Sequence, residues 1–576
     1  MSVDQESSVL SDRGKYAEAA VVIVSALVYA GTLGFEFVYD DIQQLIDNPS
    51  NRSWHFLSQY FTSHMWAGVF INSNYYRPVV LLWFRLNYGL FGLNPLGWHL
   101  SLILAHAGAT LLVFRLIYRL FRNRAGAALA ALVFGLHPLH VQSVAWISGV
   151  TDPLLAIFLT SSFLQYLSFR ETRRPVNLFW SLLLYLSATL TKEPGVILPA
   201  IVFAHECFHS AGKAAERVKL ASLAALPFVL VTLVYLAARM HALHGFAPAL
   251  SSMDTPTMLR TLPSILWLYA KHLLLPWGYS LYYDFTLVQH FTDSQFLLPA
   301  GFLVLLLLLL GGLCYFLRVP RDVLLTAAIW FILPLLPSLY LPAVEPAVFG
   351  QDRYLYISCI GFGILVANLI LRVVEIVHNS EQDRVLLLYA AAALAMILAS
   401  CTLIQQQYWQ SNLALYSRAV SIAPNNEQAL ANLAVSLAEH KPADSIAIFE
   451  HCLKKDPTSA KLNYLYGYTL YRIGRYNPSL FPLARAAQLD PSMAEAFLYI
   501  GMAHLKLGYP RDAAIEIAHA IALEPHKRGA HLALGAVFEA EGKLAAALNE
   551  TEIEAHNYPD DQLVRRRLDA LQHEKN

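Results

Sequence analysis

Two adjacent carboxylates, Asp40 and Asp41, directly follow a largely apolar run from Ala19 to Val38. Crossing a bilayer takes ~20 residues in a helix, so the run is long enough to span and the pair sits at a membrane surface. Carboxylates are costly in hydrocarbon, so a pair placed there faces water or holds something in a water-lined cavity. Other polar groups fall at the ends of later apolar runs: Arg77, His137 and His140, Asp152, Lys192 with Glu193, Lys271 with His272, and Asp352 with Arg353. Each alone has a structural explanation. His137 and His140 flank a proline and suit the capping of freed backbone carbonyls, Lys192 and Glu193 suit a local ion pair, and Arg353 suits a snorkelling interface residue. Their collection on one face is harder to explain in this way. A pump or channel spreads ionisable groups through the depth of the bilayer, whereas a carboxylate beside cations at an interface suits transfer from a lipid phosphate to a hydroxyl. The cations hold the phosphate leaving group as its charge develops, and the carboxylate takes the acceptor proton.

The elements that must position these groups are mostly membrane helices. Of 576 residues, 56% are hydrophobic and only 14% charged, and the mean hydropathy is +0.44. This composition predicts a polytopic membrane protein carrying a soluble part. With 41 basic and 41 acidic residues the chain has no global field that argues for nucleic acid. Five cysteines, four of them in apolar runs, form no disulfide or zinc spacing. Sidedness follows from Lys and Arg in short loops. Arg115 to Arg124, Arg170 to Arg174 and Lys213 to Lys219 mark one face as inner, while the segment 39–76 carries a single basic residue, Arg52, and reads as an outer loop. Counting runs such as Leu96–Phe114, Pro153–Phe169, Val176–Thr191, Val196–Phe208 and Val385–Ile404 gives about 11 spans. Pro78–Phe91, broken by Arg85 and Asn87, and Leu262–Trp277, with Lys271 and His272, read as interfacial or re-entrant. The expected order is an inner tail over 1–18, a transmembrane domain over 19–408 and a soluble domain over 409–576, the last on the same side as Asp40 and Asp41.

The soluble domain is periodic. Pro424, Pro457, Pro491, Pro525 and Pro559 recur every 33 or 34 residues, as do Gly467, Gly501 and Gly535, and Gly474, Gly508 and Gly542. Small residues at fixed offsets allow paired helices to approach, and a proline after each pair ends the second helix. The pattern is that of tetratricopeptide repeats, each a helix-turn-helix. Trp409 to Ile422 predicts one further helix running from the last span into the array, and Arg565 to Lys575 a polar capping helix.

Phe37-Val-Tyr-Asp-Asp-Ile42, Asp47-Asn-Pro49, Tyr76-Arg-Pro-Val79, His137-Pro-Leu-His140, Thr151-Asp-Pro-Leu154, Lys192-Glu-Pro-Gly195 and Arg353-Tyr-Leu-Tyr356 occur in that order, ahead of the repeats. In this the chain resembles the transmembrane and tetratricopeptide repeat-containing family, whose members look like C-type glycosyltransferases related to protein O-mannosyltransferases. The resemblance implies an all-α fold: a polytopic membrane bundle followed by a tetratricopeptide α-solenoid. It implies transfer of mannose from a polyprenyl-phosphate donor to Ser or Thr of an acceptor protein on the non-cytosolic side, with the repeats engaging the acceptor. The family's acidic motif maps onto Asp40 and Asp41, with Asp41 favoured as the base. Its histidine-proline motif maps onto His137 and His140. Arg77, Lys192 and Arg353 are assigned to the donor phosphate or to orienting the acids, with Asp152 and Glu193 beside them. Thr151-Asp152 replaces an Arg-Ala-Asp pattern, and the array has about four units where eukaryotic members often have more. Both departures suggest a prokaryotic relative using undecaprenyl or another polyprenyl phosphate; the expected location is the plasma membrane for a prokaryotic chain and the endoplasmic reticulum for a eukaryotic one.

The resemblance implies the lipid-linked sugar as co-substrate and no cofactor or metal, although carboxylates suit divalent cations and a metal at Asp40 and Asp41 stays an alternative. A non-enzymatic membrane scaffold that recruits partners through the repeats is the other reading. The number of spans argues against it, since one span would anchor the array. A transporter would show paired inverted halves, which the sequence lacks.

Overall fold

A computed structural model describes residues 16–69, 73–245, 253–343, 349–377 and 381–575. The inner tail expected over 1–18 lies outside these residues except for its last three. The described residues form an all-α architecture of membrane helices followed by a helical-repeat array. Eight helices among them are long and apolar enough to span a bilayer: Tyr16–Gly34, Pro95–Phe121, Ile147–Thr172, Ala214–Ala242, Ser294–Phe316, Arg321–Leu339, Cys359–Ile376 and Val385–Trp409. A ninth is added if the pair Arg124–Leu136 and Pro138–Ala145, bent by 46°, is one broken span. The runs counted in the sequence as spans between Val176 and Phe208 fold as Pro175–Thr189 and Leu198–His209, of 15 and 12 residues. Both are shorter than the ~20 residues a crossing takes. Pro78–Phe91 is likewise a short apolar helix, and Thr255–Leu274 is not among the candidate spans.

The bend at His137-Pro138 has a local cause. Pro138 supplies no backbone N–H to continue the helix, and Nδ1 of His137 accepts the N–H of Leu139 at 3.3 Å, opening a short 3₁₀ turn in a new direction. The preceding helix lies against the first span at Gly135, where an added Cβ would fall 2.0 Å from Ser25 Oγ. Ser294–Phe316 has no buried residue in its apolar window, as expected of a helix bathed in lipid.

The array contains four helix pairs: Glu427–Leu437 with Pro442–Lys455, Ala460–Arg472 with Tyr476–Leu489, Ala494–Lys506 with Pro510–Leu523, and Ala530–Ala540 with Leu544–Asn557. Gln562–Lys575 follows as the terminal helix. The two periodic glycine sets do different work. Gly501 lies where a Cβ would come 2.6 Å from Ile517 and 2.9 Å from the Ala513 carbonyl, so it permits close packing within a pair. Gly474, Gly508 and Gly542 instead adopt φ of +80°, +86° and +76°, the left-handed turn between paired helices. The continuous helix expected from Trp409 to Ile422 is interrupted. Ser411 is extended and its hydroxyl caps Asn412–Ile422 by accepting the N–H of Ala414 at 3.3 Å.

Candidate functional site

The acidic pair lies on a short irregular stretch between the first span and a π-helical turn, Ile42–Ile46, with Tyr39 at φ +54°. This left-handed residue turns the chain as it leaves the span, and the two aspartates that follow meet different surroundings. Asp41 is fully buried. Its Oδ1 accepts the backbone N–H of Ser148 at 2.8 Å and the Ser148 hydroxyl at 2.5 Å, while Oδ2 accepts the N–H of Val38 at 3.2 Å. Asp40 is partly exposed and lines a cavity of about 790 Å³ that it shares with the repeat array. The resemblance favoured Asp41 as the base; of the two acids it is Asp40 that lines the cavity.

Burial raises the Asp41 carboxyl from its ordinary 3.8 to about 7, against the lowering effect of the hydrogen bonds from Ser148 and Val38. An acid held protonated by the fold contributes stability that is full below its unfolded value and lost as pH rises to its folded value. Stability is therefore expected to fall between these two pH values by on the order of a few kcal/mol. Asp41→Asn, neutral throughout, should flatten that part of a pH-dependent unfolding curve. An unchanged slope would remove the burial account.

Ser148 comes from the stretch 143–152, which also joins the acids to the cations. Ser143 donates its hydroxyl to Asp152 at 3.1 Å, and buried Lys192 donates to the other oxygen of Asp152. Burial pushes the Lys192 amine down to about 8, with Asp152 acting in the opposite sense. Arg77 is bidentate with Glu193, Nε donating to Oε1 at 3.2 Å and Nη2 to Oε2 at 2.7 Å, and packs 4.2 Å from the Tyr75 ring. The two turns are joined where Val79 N–H donates to the Leu190 carbonyl at 3.3 Å. Two of the three expected phosphate ligands are thus already matched by carboxylates. Arg353 is not: its guanidinium lies 5.0 Å from the Trp146 ring and 5.8 Å from Tyr354, and no acid among the described residues pairs with it, its buried Nε included. Trp146 also meets the Tyr39 ring at 5.4 Å, so one indole stands between the acidic stretch and Arg353.

The close quarters of this stretch fix another expectation. A Cβ on Gly149 would lie 2.7 Å from the Gln142 carbonyl and 3.0 Å from Ser143 Cα, both backbone. Gly149→Ala should therefore cost about 1–3 kcal/mol and displace Ser148 from Asp41. Thermal unfolding of the purified variant checks this, and wild-type stability would contradict it.

The histidines are not brought into the acidic and cationic cluster. His137 uses both ring nitrogens on backbone, with Nε2 at 3.2 Å from the Leu273 carbonyl. His140 is fully buried, neither ring nitrogen has a partner among the described residues, and its ring packs 4.2 Å from Tyr356 and 4.7 Å from Phe134. The motif acts through its neighbour Gln142, which bonds the Gln351 side chain and accepts the N–H of Arg353 at 3.4 Å. His272 and Asp352 do meet, at 2.7 Å, with the Tyr283 hydroxyl donating to Asp352 at 2.5 Å. Lys271 is exposed. Ser143, Ser148, Gln142 and Trp146 were not singled out from the sequence. Their place between two motifs is the one signal that would have found them.

No protein-family model matches the chain. It is 27% identical over 466 residues to the protein O-mannosyl-transferase TMTC3 of Mus musculus, covering 73% of this chain and 49% of that protein. It is 27% identical over 457 residues to the protein O-mannosyl-transferase F38B6.6 of Caenorhabditis elegans, covering 76% and 62%, and 34% identical over 212 residues to human protein O-mannosyl-transferase TMTC1, covering 34% and 24%. The resemblance read from the ordered motifs is therefore present, and the chain spans about half the length of the first of these relatives. Among solved structures it is similar to a thermophilic tetratricopeptide protein of Thermus thermophilus, at 22% identity over 28% of this chain and 88% of that one, TM-score 0.26. It is also similar to MamA, at 22% identity over 25% and 85%, TM-score 0.23. Eight helices able to span, together with such relatives, make this a multi-pass membrane protein.

Proposed function

We propose that this protein is an integral membrane glycosyltransferase that moves a sugar, in the first instance mannose, from a polyprenyl phosphate to a Ser or Thr hydroxyl of a protein on the non-cytosolic face. One observation carries the reading: Asp40 opens into the cavity under the repeat array, while Asp41 beside it is tied through Ser148 to the stretch that meets Lys192 and Arg353. Asp40 takes the proton of the acceptor hydroxyl as its oxygen bonds to the sugar C1. The C1–O bond to phosphate breaks, and the electron pair leaves with the lipid phosphate, whose charge Arg353 meets and Lys192 reinforces. Arg77 and Glu193, already matched, hold the turn that presents Lys192, and Asp41 holds the acidic stretch in register. The lipid-linked sugar is the co-substrate, and the reading calls for no further cofactor. The relatives named as protein O-mannosyl-transferases support it.

Because Arg353 has no carboxylate to lose, Arg353→Ala should spare the fold and raise the KM for the lipid donor by about tenfold or more. An unchanged KM would free Arg353 of that role. The activity itself is tested by mass spectrometry of glycopeptides from cells with and without this gene. Hexose-bearing Ser and Thr peptides should disappear with the gene and return with it. An identical set of glycopeptides in both would favour a scaffold.

A further inference from the structure

The repeat array is fastened at both ends. At its start, Asn412 Oδ1 accepts the N–H of Tyr39 at 2.9 Å. At its far end, Arg528 donates to Asp47 at 3.0 Å and to Asp561 at 2.9 Å, and the Tyr558 hydroxyl, 2.6 Å from the His526 carbonyl, also lies 3.1 Å from the Asp47 carbonyl. Arg52 completes this clasp, lying 5.0 Å from the Tyr558 ring and 3.6 Å from Asp560. The stretch from Tyr39 to Asp47, with Asp40 inside it, therefore crosses the open side of the array as a bar pinned at each end. The cavity of about 790 Å³ is the space between bar and array.

The walls of that space define its occupant. Tyr464, Tyr468 and Tyr499 supply rings from the array, Asn432 and Gln428 supply amides, and Gln43 supplies an amide from the bar. The charges on the wall are largely spoken for: Lys527 pairs with Glu495 and Glu524, and Arg472 with Glu439. Amides satisfy a main chain, and phenol rings pack on small, hydroxylated or proline side chains at little entropic cost. An extended strand is slimmer than a helix, which is ~10–12 Å across with its side chains, and exposes the main-chain groups that these amides can meet.

We infer that the cavity receives the acceptor as an extended, uncharged, Ser-, Thr- and Pro-rich stretch of unfolded chain. We further infer that the clasp at Asp47 and Arg528 must part to admit an internal stretch, while a free chain end can be threaded with the clasp shut. The inference rests on the glycosyltransferase reading and adds the class of acceptor and its manner of entering. Both clasp side chains are about one-third exposed, 34% each, and an ion pair so wetted opens readily.

The test uses the full-length protein in nanodiscs and reads binding rather than sugar transfer. Asp47→Cys and Arg528→Cys are joined by a short bis-maleimide. The five native cysteines are buried or half-buried, and protein lacking the two new ones controls for their labelling. Two fluorescent probes share one Ser, Thr, Pro and Ala sequence, one with a free end and one with a small folded domain on each end. Unlinked protein should bind both. Linked protein should keep the free-ended probe within about twofold and lose the doubly capped probe by about tenfold or more, and Tyr468→Ala with Tyr499→Ala should weaken the free-ended probe by about tenfold. Equal binding of both probes to linked protein, no binding of the free-ended probe, or binding indifferent to the tyrosines would each overturn the inference. Wild-type protein that transfers no sugar from a polyprenyl-phosphate donor would sink the enzymatic reading while leaving these binding results standing.

Discussion

Asp40→Asn should lower kcat for sugar transfer by about 10²–10⁴, the usual contribution of a positioned general base, with the KM for the acceptor changed little. Asparagine keeps the volume and hydrogen-bonding capacity of the side chain and loses only its ability to take a proton, so the cavity beneath the array should be preserved. Asp41→Asn should behave differently. Asp41 is buried with both oxygens engaged by Ser148 and Val38, and an amide placed there turns its NH₂ toward one of these donors. The expected result is a partial fall in kcat with the altered pH dependence of stability described above. If Asp41→Asn were the dead variant and Asp40→Asn nearly normal, the roles of the two acids would be reversed.

The second large effect is on folding. Lys192→Ala leaves the Asp152 carboxylate almost wholly buried, with the Ser143 hydroxyl as its remaining side-chain hydrogen bond among the described residues. Removing one partner of a buried pair typically costs about 3–5 kcal/mol, because the other charge stays desolvated. The variant should be poorly expressed or unfold far below the wild type. Adding Asp152→Asn should restore much of the lost stability without restoring transfer, since the cation beside Arg353 is still missing. Thermal unfolding of the two single variants and the double variant in detergent reads the coupling directly. Additive losses would mean that Lys192 and Asp152 do not depend on one another.

What the sequence revealed was either local or periodic. The repeat array could be read because one unit recurs and the chain reports its own register at Pro457, Pro491 and Pro525. The ordered motifs could be read because each is contiguous. Span lengths were less legible, since Val176–Phe208 is apolar enough for two crossings yet is broken by the Lys192-Glu-Pro-Gly195 turn into helices of 15 and 12 residues. Partnerships between distant positions left no trace. Arg77 finds Glu193 and Arg528 finds Asp47 only once helices have placed them, 116 and 481 positions apart in the chain. The same applies to the two aspartates: adjacent residues of one type look equivalent in sequence, and only the fold buries Asp41 and sets Asp40 in a cavity wall. His137, placed with His140 among the substrate-binding residues and equally readable as a cap on backbone, has both ring nitrogens on backbone groups. Ser148 carries no motif of its own, and its place between two motifs marks its neighbourhood without revealing that Asp41 is its partner.

The central claim is tested most directly by purified protein in nanodiscs, supplied with a synthetic polyprenyl-phosphate mannose and an unstructured Ser- and Thr-rich peptide, with the peptide mass followed over time. The account predicts one hexose added to a hydroxyl by the wild type and none by the Asp40→Asn, Asp41→Asn double variant. Transfer by that double variant at the wild-type rate would contradict it.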